Sequence, residues 1–328
     1  MADYKCPCCL SPIPSSTSPD LTCPKCGFRF SVEVNEGPSQ PADSVGSPAL
    51  TGLSSSGNNL QIEGYKNLSF LSKVGFGNVY KAQSVSDERT VVLKVLLPEL
   101  SWNEPLVRRF EREARTLSAL RHPGIVEVYH SGKTATGELF LVMEFVEGES
   151  LRKIIEGRRY PGIDRIRIGF AIARAVAHAH EHNVLHRDLT PEKVLVFEVQ
   201  GVPRIKITDF GFATAAERSP DDQTVTREGM LIGSPLYMSP EQRLDPKHVD
   251  TRTDIYSFGV VFFELLTDQL PMGGRRPPSQ VRPEAPVALD PVVLKMLEQD
   301  PSQRYSTMTE VVDAIRSAVG DSLEKVGQ

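Results

Sequence analysis

Apolar residues are spaced in two different ways along positions 60–318. The first part carries short β-branched or apolar runs. Val79-Tyr80-Lys81 and positions 91–96, 126–129 and 139–145 predict strands, with Ser86-Asp87-Glu88-Arg89 as a turn between the first two. Among them, Phe110, Ala114 and Leu117 recur at spacings of four and three, the period of a helix with one buried face. Beyond Gly148 the helical period dominates, and positions 166–182 and 254–267 predict the longest helices. Two brief strands interrupt it, at 194–197 and at 204–208, where Ile205 and Ile207 flank Lys206. The fold class expected is α+β, a small β-rich lobe followed by a larger helical one.

The same patterning divides the chain. Residues 36–59 hold thirteen Gly, Pro or Ser among 24 and no aromatic residue, too little apolar surface to offset the entropy of ordering. We therefore expect a cysteine-bearing segment at 1–34, a flexible linker at 35–59, the main domain at 60–318 and a short tail at 319–328. No run of eighteen apolar residues exists, and Glu264 breaks the longest candidate, so no spanning helix is expected. The N-terminal order MADYKCPCC is unlike a secretory signal. A net charge of −5 supplies no electrostatic reason to coat nucleic acid or a membrane. The expected location is the cytoplasm.

All five cysteines lie at Cys6, Cys8, Cys9, Cys23 and Cys26, and the remaining three hundred residues have none, as in a reducing compartment. Cys6-Pro7-Cys8-Cys9 and Cys23-Pro24-Lys25-Cys26 are two C-x-x-C knuckles. Four thiolates in this arrangement suit a tetrahedral structural Zn2+ held by Cys6, Cys9, Cys23 and Cys26, with Cys8 making the first pair ambiguous. About thirty residues need such a staple to fold. Disulfides or loose thiols are the plain alternative. Three basic residues against Asp3 and Asp20 make a poor phosphate footprint, so the expected partner of this zinc ribbon is a protein rather than a nucleic acid.

The main domain carries, in order, VVLK ending at Lys94, Arg-Glu-Ala around Glu113, His-Arg-Asp-Leu at 186–189, Asp-Phe-Gly at 209–211 and Ser-Pro-Glu at 239–241. Asp254 in TDIYSFG and Arg304 in DPSQRY follow. Each motif is weak alone, but the ordered set resembles the bacterial members of the eukaryotic-like serine/threonine protein kinases over some 260 residues. The resemblance implies two lobes with ATP between them, and transfer of a phosphoryl group to a protein hydroxyl with Mg2+ or Mn2+ as cofactor. It implies that Lys94 and Glu113 pair to hold phosphates, that Asp188 receives the substrate hydroxyl proton and that Asp209 binds the metal. Apart from that resemblance, Lys94 lies in an apolar strand and needs an acidic partner, and Glu113 shares the buried side of its helix with Phe110 and Leu117. Met143 resembles the gatekeeper, with the backbone of Glu144 and Val146 reaching adenine, and Gly77 and Val79 the nucleotide-facing end of the glycine-rich loop. Glu241 with Arg304, and Asp254, resemble structural anchors. Arg187 is placed to pair with a phosphate on the activation segment, at Thr224 or Thr226, while Ser219 and Ser234 are further hydroxyls there.

Two regions depart from the pattern G-x-G-x-x-G-x-V and H-R-D-L-x-x-x-N. Ser72 and Val74 stand where the first two glycines belong. Thr190 replaces the catalytic-loop lysine, and Lys193 the asparagine that would bind a metal. An ammonium cannot coordinate magnesium, so Lys193 is expected in the nucleotide site as a point charge. These departures keep open a pseudokinase adaptor that acts by partner binding, against which stand Lys94, Glu113, Asp188 and Asp209. His178 and His182 are four apart on a helix, but no acidic ligand pattern accompanies them, and the basic proline-rich stretch from Arg275 to Pro283 reads as a solvated loop.

Overall fold

The computed structural model describes residues 60–74, 77–101, 104–210, 235–271 and 276–320, together with four short strands nearer the N-terminus. Contacts divide the chain into Met1–Leu60 and Gln61–Gln328. In the first unit, β1 (Tyr4–Lys5) pairs antiparallel with β2 (Pro12–Ile13), and β3 (Asp20–Thr22) with β4 (Arg29–Ser31). The five cysteines and the linker at 35–59 lie outside the described residues.

The second unit begins with an antiparallel sheet in the order β5-β6-β7-β9-β8, formed by β5 (Tyr65–Val74), β6 (Gly77–Ser84), β7 (Thr90–Leu96), β8 (Val128–Lys133) and β9 (Leu139–Glu144). β7 is its central strand and β9 its neighbour, and both are buried on both faces. This is why they read as apolar runs rather than as alternation. β5 went unpredicted because it is an edge strand with two irregularities in its pairing, and Phe70 and Leu71 stay exposed on it. The helix expected around Phe110 forms as α2 (Glu104–Ala119), after the short α1 (Pro98–Ser101), and buries Phe110, Ala114 and Leu117.

The strand expected at 126–129 starts later, at Val128, for a specific reason. Ile125 forms a parallel bridge with Ile207, with Val126 N–H bonded to Ile207 O and Ile207 N–H to Gly124 O, each at 2.9 Å. That backbone belongs to the larger lobe's small sheet, made of β10 (Glu149–Ser150), β11 (Val194–Val199) and β12 (Val202–Ile207). The connection between α2 and β8 is thus stitched to the lower lobe.

The helices of that lobe are α3 (Leu151–Glu156), α4 (Gly162–Glu181), α5 (Pro240–Leu244), α6 (Arg252–Thr267), α7 (Pro278–Val281), α8 (Asp290–Met296) and α9 (Met308–Val319). α6 is buried almost all round, as its continuous apolar sequence demands. It approaches α4 so closely that a Cβ at Gly169 would lie 2.2 Å from the Phe262 ring. Among the described residues no helix is long and apolar enough to cross a membrane.

Three histidine rings lie in a row, His122 stacked on His178 and His178 tilted against His182. His122 lies 5.0 Å from His178, and His178 lies 4.4 Å from His182, centroid to centroid. His122 Nδ1 accepts the Gly124 N–H at 3.0 Å, which requires that nitrogen to be unprotonated. Burial, then the charges of His178, Arg174 and Lys206, lower the His122 pKa from 6.5 to about 4. Folding therefore favours the neutral ring: its contribution is full above pH 6.5 and is lost as the pH falls from there toward 4. The thermal midpoint is expected to drop through that window. His122→Asn, whose carbonyl can accept the same N–H without titrating, is expected to flatten part of the drop in a pH series of melting curves. Parallel curves for the two proteins would contradict this.

Candidate active site

The site is built upward from one carboxylate. Asp254, in the first turn of α6, is fully buried. Its Oδ2 accepts the His186 N–H at 2.7 Å and faces His180 Nε2 at 2.8 Å, and its Oδ1 accepts the Arg187 N–H at 2.7 Å. Burial works against its charge, and the bond and charge of His180, with His186 beside it, bring its pKa below the usual carboxylate range. Arg187 sits at φ 64°, a left-handed conformation that costs a non-glycine residue energy. Its amide is held by Asp254, and its carbonyl accepts Gln242 Nε2 at 2.5 Å.

This restraint aims the next residue, Asp188, into the cleft. His186 is wholly buried, and its ring rests against Phe210 at 4.7 Å between centroids. His186 Nε2 meets the Thr208 carbonyl at 3.0 Å, and a carbonyl only accepts, so Nε2 carries the hydrogen. Nδ1 is then free to accept the Asp188 N–H at 3.3 Å. Burial, followed by the charge of Lys193, lowers the His186 pKa and keeps this neutral tautomer.

Four charged groups converge here. Lys94, on the central strand β7 opposite Val79, bonds Asp209 Oδ1 at 2.8 Å, with the ammonium and the carboxylate both largely out of water. The Asp188 carboxylate is in direct contact with the Lys193 ammonium. Burial alone would raise the Asp209 pKa, and the two ammonium groups of Lys94 and Lys193 overcome it, lowering it from 3.8 to about 2. Asp209 is also at positive φ, 65°. Lys94 forms an ion pair with Asp209 at 2.8 Å, a partner the sequence did not single out; Glu113, the partner expected from the sequence, lies half-buried on α2 between Phe110 and Leu117.

At the back of the cleft, Met143 is buried and lines a small cavity with Leu117, Ile207, Asp209 and Phe210. The Glu144 N–H is bonded to Glu127 O at 2.9 Å, and the Val146 carbonyl accepts from Gly148 at 3.1 Å. At the front, the β5–β6 ladder runs on to the pair Val74↔Gly77, with Ser72 opposite Val79. Ser72 and Val74, which stand in two glycine positions of the pattern, are thus both residues of the β5 ladder. Gly77 has a packing reason to be glycine, since a Cβ there would meet Val95 O at 2.2 Å. Gly75, Phe76 and the candidate phosphorylation residues Ser219, Thr224, Thr226 and Ser234 lie outside the described residues.

Sequence reasoning missed a clamp at the hinge. Lys206 Nζ bonds Glu144 Oε2 at 2.6 Å and Ile125 O at 3.3 Å, and the same carboxylate accepts the Glu127 N–H at 3.2 Å. The only available signal was Lys206 between two buried isoleucines. His180 as a third arm on Asp254 was also missed. Arg304 and Glu241 form a two-bond pair at 2.7 and 2.8 Å.

Residues 65–314 match the model of the protein kinase domain. A probable serine/threonine-protein kinase of Clostridium perfringens is 35% identical over 263 residues, 76% of this chain and 37% of the relative. PrkC, a serine/threonine-protein kinase of Bacillus subtilis, is 34% identical over 270 residues, 77% of this chain and 40% of the relative. The chain spans between about a third and a half of the length of the curated relatives it matches. Among solved structures, the PknI kinase domain of Mycobacterium tuberculosis superposes with a TM-score of 0.61 at 28% identity, over 79% of this chain and 98% of that one.

Asp254→Ala would leave two backbone N–H groups and His180 without their acceptor in a dry site. Destabilisation of about 3 kcal/mol or more is expected in denaturant unfolding, far beyond the effect of an ordinary surface substitution.

Proposed function

We propose that this chain, which belongs to the protein kinase family, is an active serine/threonine protein kinase. The observation that carries this reading is the meeting of Lys94 and Asp209 at 2.8 Å, in a cleft that also receives Asp188. The donor set fits a nucleotide with a divalent ion. Asp209, held at a pKa of about 2, is an ionised oxygen ligand at any physiological pH, and Lys94 is a cation already oriented toward it. Bound magnesium or manganese with ATP would supply the transferable γ-phosphoryl group and neutralise its developing charge.

The rest falls to the chain's own residues. Lys94 would hold the α- and β-phosphates, and Asp209 would hold the metal. Met143 walls the adenine end, where the backbone of Glu144 and Val146 offers hydrogen bonds, and Gly77 and Val79 cover the nucleotide from above. Asp188, fixed by His186 and by the pinned Arg187, would orient the substrate hydroxyl and take its proton as the new bond from that oxygen to the γ-phosphorus forms and the bond from the γ-phosphorus to the bridging oxygen of the departing ADP breaks. Protein serine or threonine residues would be the substrates. The assembled ionic set favours this enzyme over an adaptor with a degenerate kinase body.

The first 34 residues we read as a zinc ribbon that contacts a protein partner. Each C-x-x-C sequence falls between two strands that pair, Cys6 to Cys9 between β1 and β2, and Cys23 to Cys26 between β3 and β4. Such hairpins suit thiolate knuckles. Cysteine-free sequence beyond Cys26 supports an intracellular location.

Labelled ATP with magnesium or manganese is expected to give phosphate transfer by the wild-type protein, falling by at least about a hundredfold in Asp188→Ala. Equal signals would transfer the reading to the adaptor. For the ribbon, metal analysis of the full chain is expected to find one zinc per molecule, lost in a Cys23→Ser/Cys26→Ser variant. A metal-free wild-type protein whose thiols resist labelling until reduced would assign the cysteines to disulfides instead.

A further inference from the structure

Lys193 occupies the position where the family pattern places a metal-binding asparagine. Its backbone is fixed at both ends. Lys193 N–H bonds Thr190 O at 3.1 Å in a single helical turn, and its carbonyl accepts the Thr208 N–H at 2.9 Å. Thr208 immediately precedes Asp209, so the Lys193 side chain emerges beside both cleft carboxylates. It is about three-quarters buried, and its ammonium is bonded to Asp188.

Thr190, where the pattern has the catalytic-loop lysine, is buried and uncharged, and its hydroxyl bonds Glu192, away from the cleft carboxylates. The described cations that act on Asp209 are Lys94 and Lys193, with His186 beside them. The two lysines and the two aspartates Asp188 and Asp209 balance one another. In the family pattern the asparagine and the Asp-Phe-Gly aspartate share two divalent ions. An ammonium at this point would repel a second ion and cannot ligate one.

We propose that the Lys193 ammonium takes the place of a second divalent ion in this cleft, so that the nucleotide binds with a single metal and Lys193 itself grips the γ-phosphate. The inference rests on the kinase reading above and adds its metal stoichiometry and the group that recognises the terminal phosphate. In the bound state Lys193 exchanges part of its contact with Asp188 for phosphate oxygens, a charge-assisted interaction of the same kind. The pairing with Asp188 then serves as the resting arrangement of a cation that acts on the nucleotide.

The test uses the full chain with ADP and a non-hydrolysable ATP analogue, measured by calorimetry across a magnesium series, in the wild type, Lys193→Gln and Lys193→Asn. For the wild type, the logarithm of triphosphate affinity is expected to rise with the logarithm of magnesium with a slope near one, and Lys193→Asn to steepen it toward two. Lys193→Gln is expected to lose about tenfold or more in affinity for the analogue and less than about threefold for ADP. A merely structural lysine would weaken both nucleotides equally, and that result overturns the proposal. A wild-type slope of two overturns it as well, while leaving the kinase reading in place. Failure of the wild type to bind either nucleotide overturns both.

Discussion

A single buried carboxylate sets the geometry on which everything in the cleft depends. Asp254 has no exposed surface, and a charge in such a place is tolerable only when hydrogen bonds replace water. The replacements are two consecutive backbone amides and an imidazole, all from the stretch that leads into Asp188. The arrangement works in both directions. The amides make the charge tolerable, and the charge holds Arg187 in a left-handed conformation that the chain would otherwise leave. The helix α6 that carries this anchor point is itself packed on nearly every side. The position of Asp188 is therefore inherited from the core of the large lobe.

The upper half of the site is tied to the same frame by backbone. Ile125 bridges Ile207 and Lys206 reaches Glu144, so the start of the upper sheet's return strand, the hinge and the strand that leads to Asp209 share bonds. Lys94 then closes the gap from above through its bond to Asp209. That bond is made in surroundings poor in water, where opposite charges attract more strongly than at the surface. Its effect is visible in the Asp209 pKa, held near 2 against the effect of burial.

Much of this was legible from spacing. The strands and the helix around Phe110, the long helices and the ordered acidic and basic residues all emerge from period and motif. What escaped depends on three-dimensional pairing that no local period encodes. Lys94 demanded an acid, and its strand context said so, but that Asp209, more than a hundred residues away, meets it is encoded in no local period. The Glu144–Lys206 clamp joins a hinge residue read only for its backbone to a lysine read only as the polar position between two isoleucines. β5 failed the strand test because an irregular edge strand, most of whose residues stay exposed, needs no strict alternation. The later start of β8 reflects hydrogen bonds that the preceding residues make to the other lobe.

The two departures from the family pattern have opposite signs, and in the proposed site they would lie on opposite sides of the nucleotide. Glycines in the upper loop let backbone amides come close to phosphate, and a valine at position 74, where the ladder still runs to Gly77, removes part of that freedom. This is a loss from the lid. Below, exchanging a neutral asparagine for Lys193 adds a full positive charge next to Asp188 and Asp209. This is a gain on the floor. A lid of backbone dipoles binds phosphate through many weak, well-placed donors, whereas an ammonium binds through charge and needs little geometric precision. With Lys193 on the phosphate as proposed, substituting one for the other would keep a grip on a triphosphate while relaxing the demand for an ordered loop. The four ionic residues could then persist beside a degraded loop because the attraction they need comes from the side of the cleft that Asp254 already holds rigid.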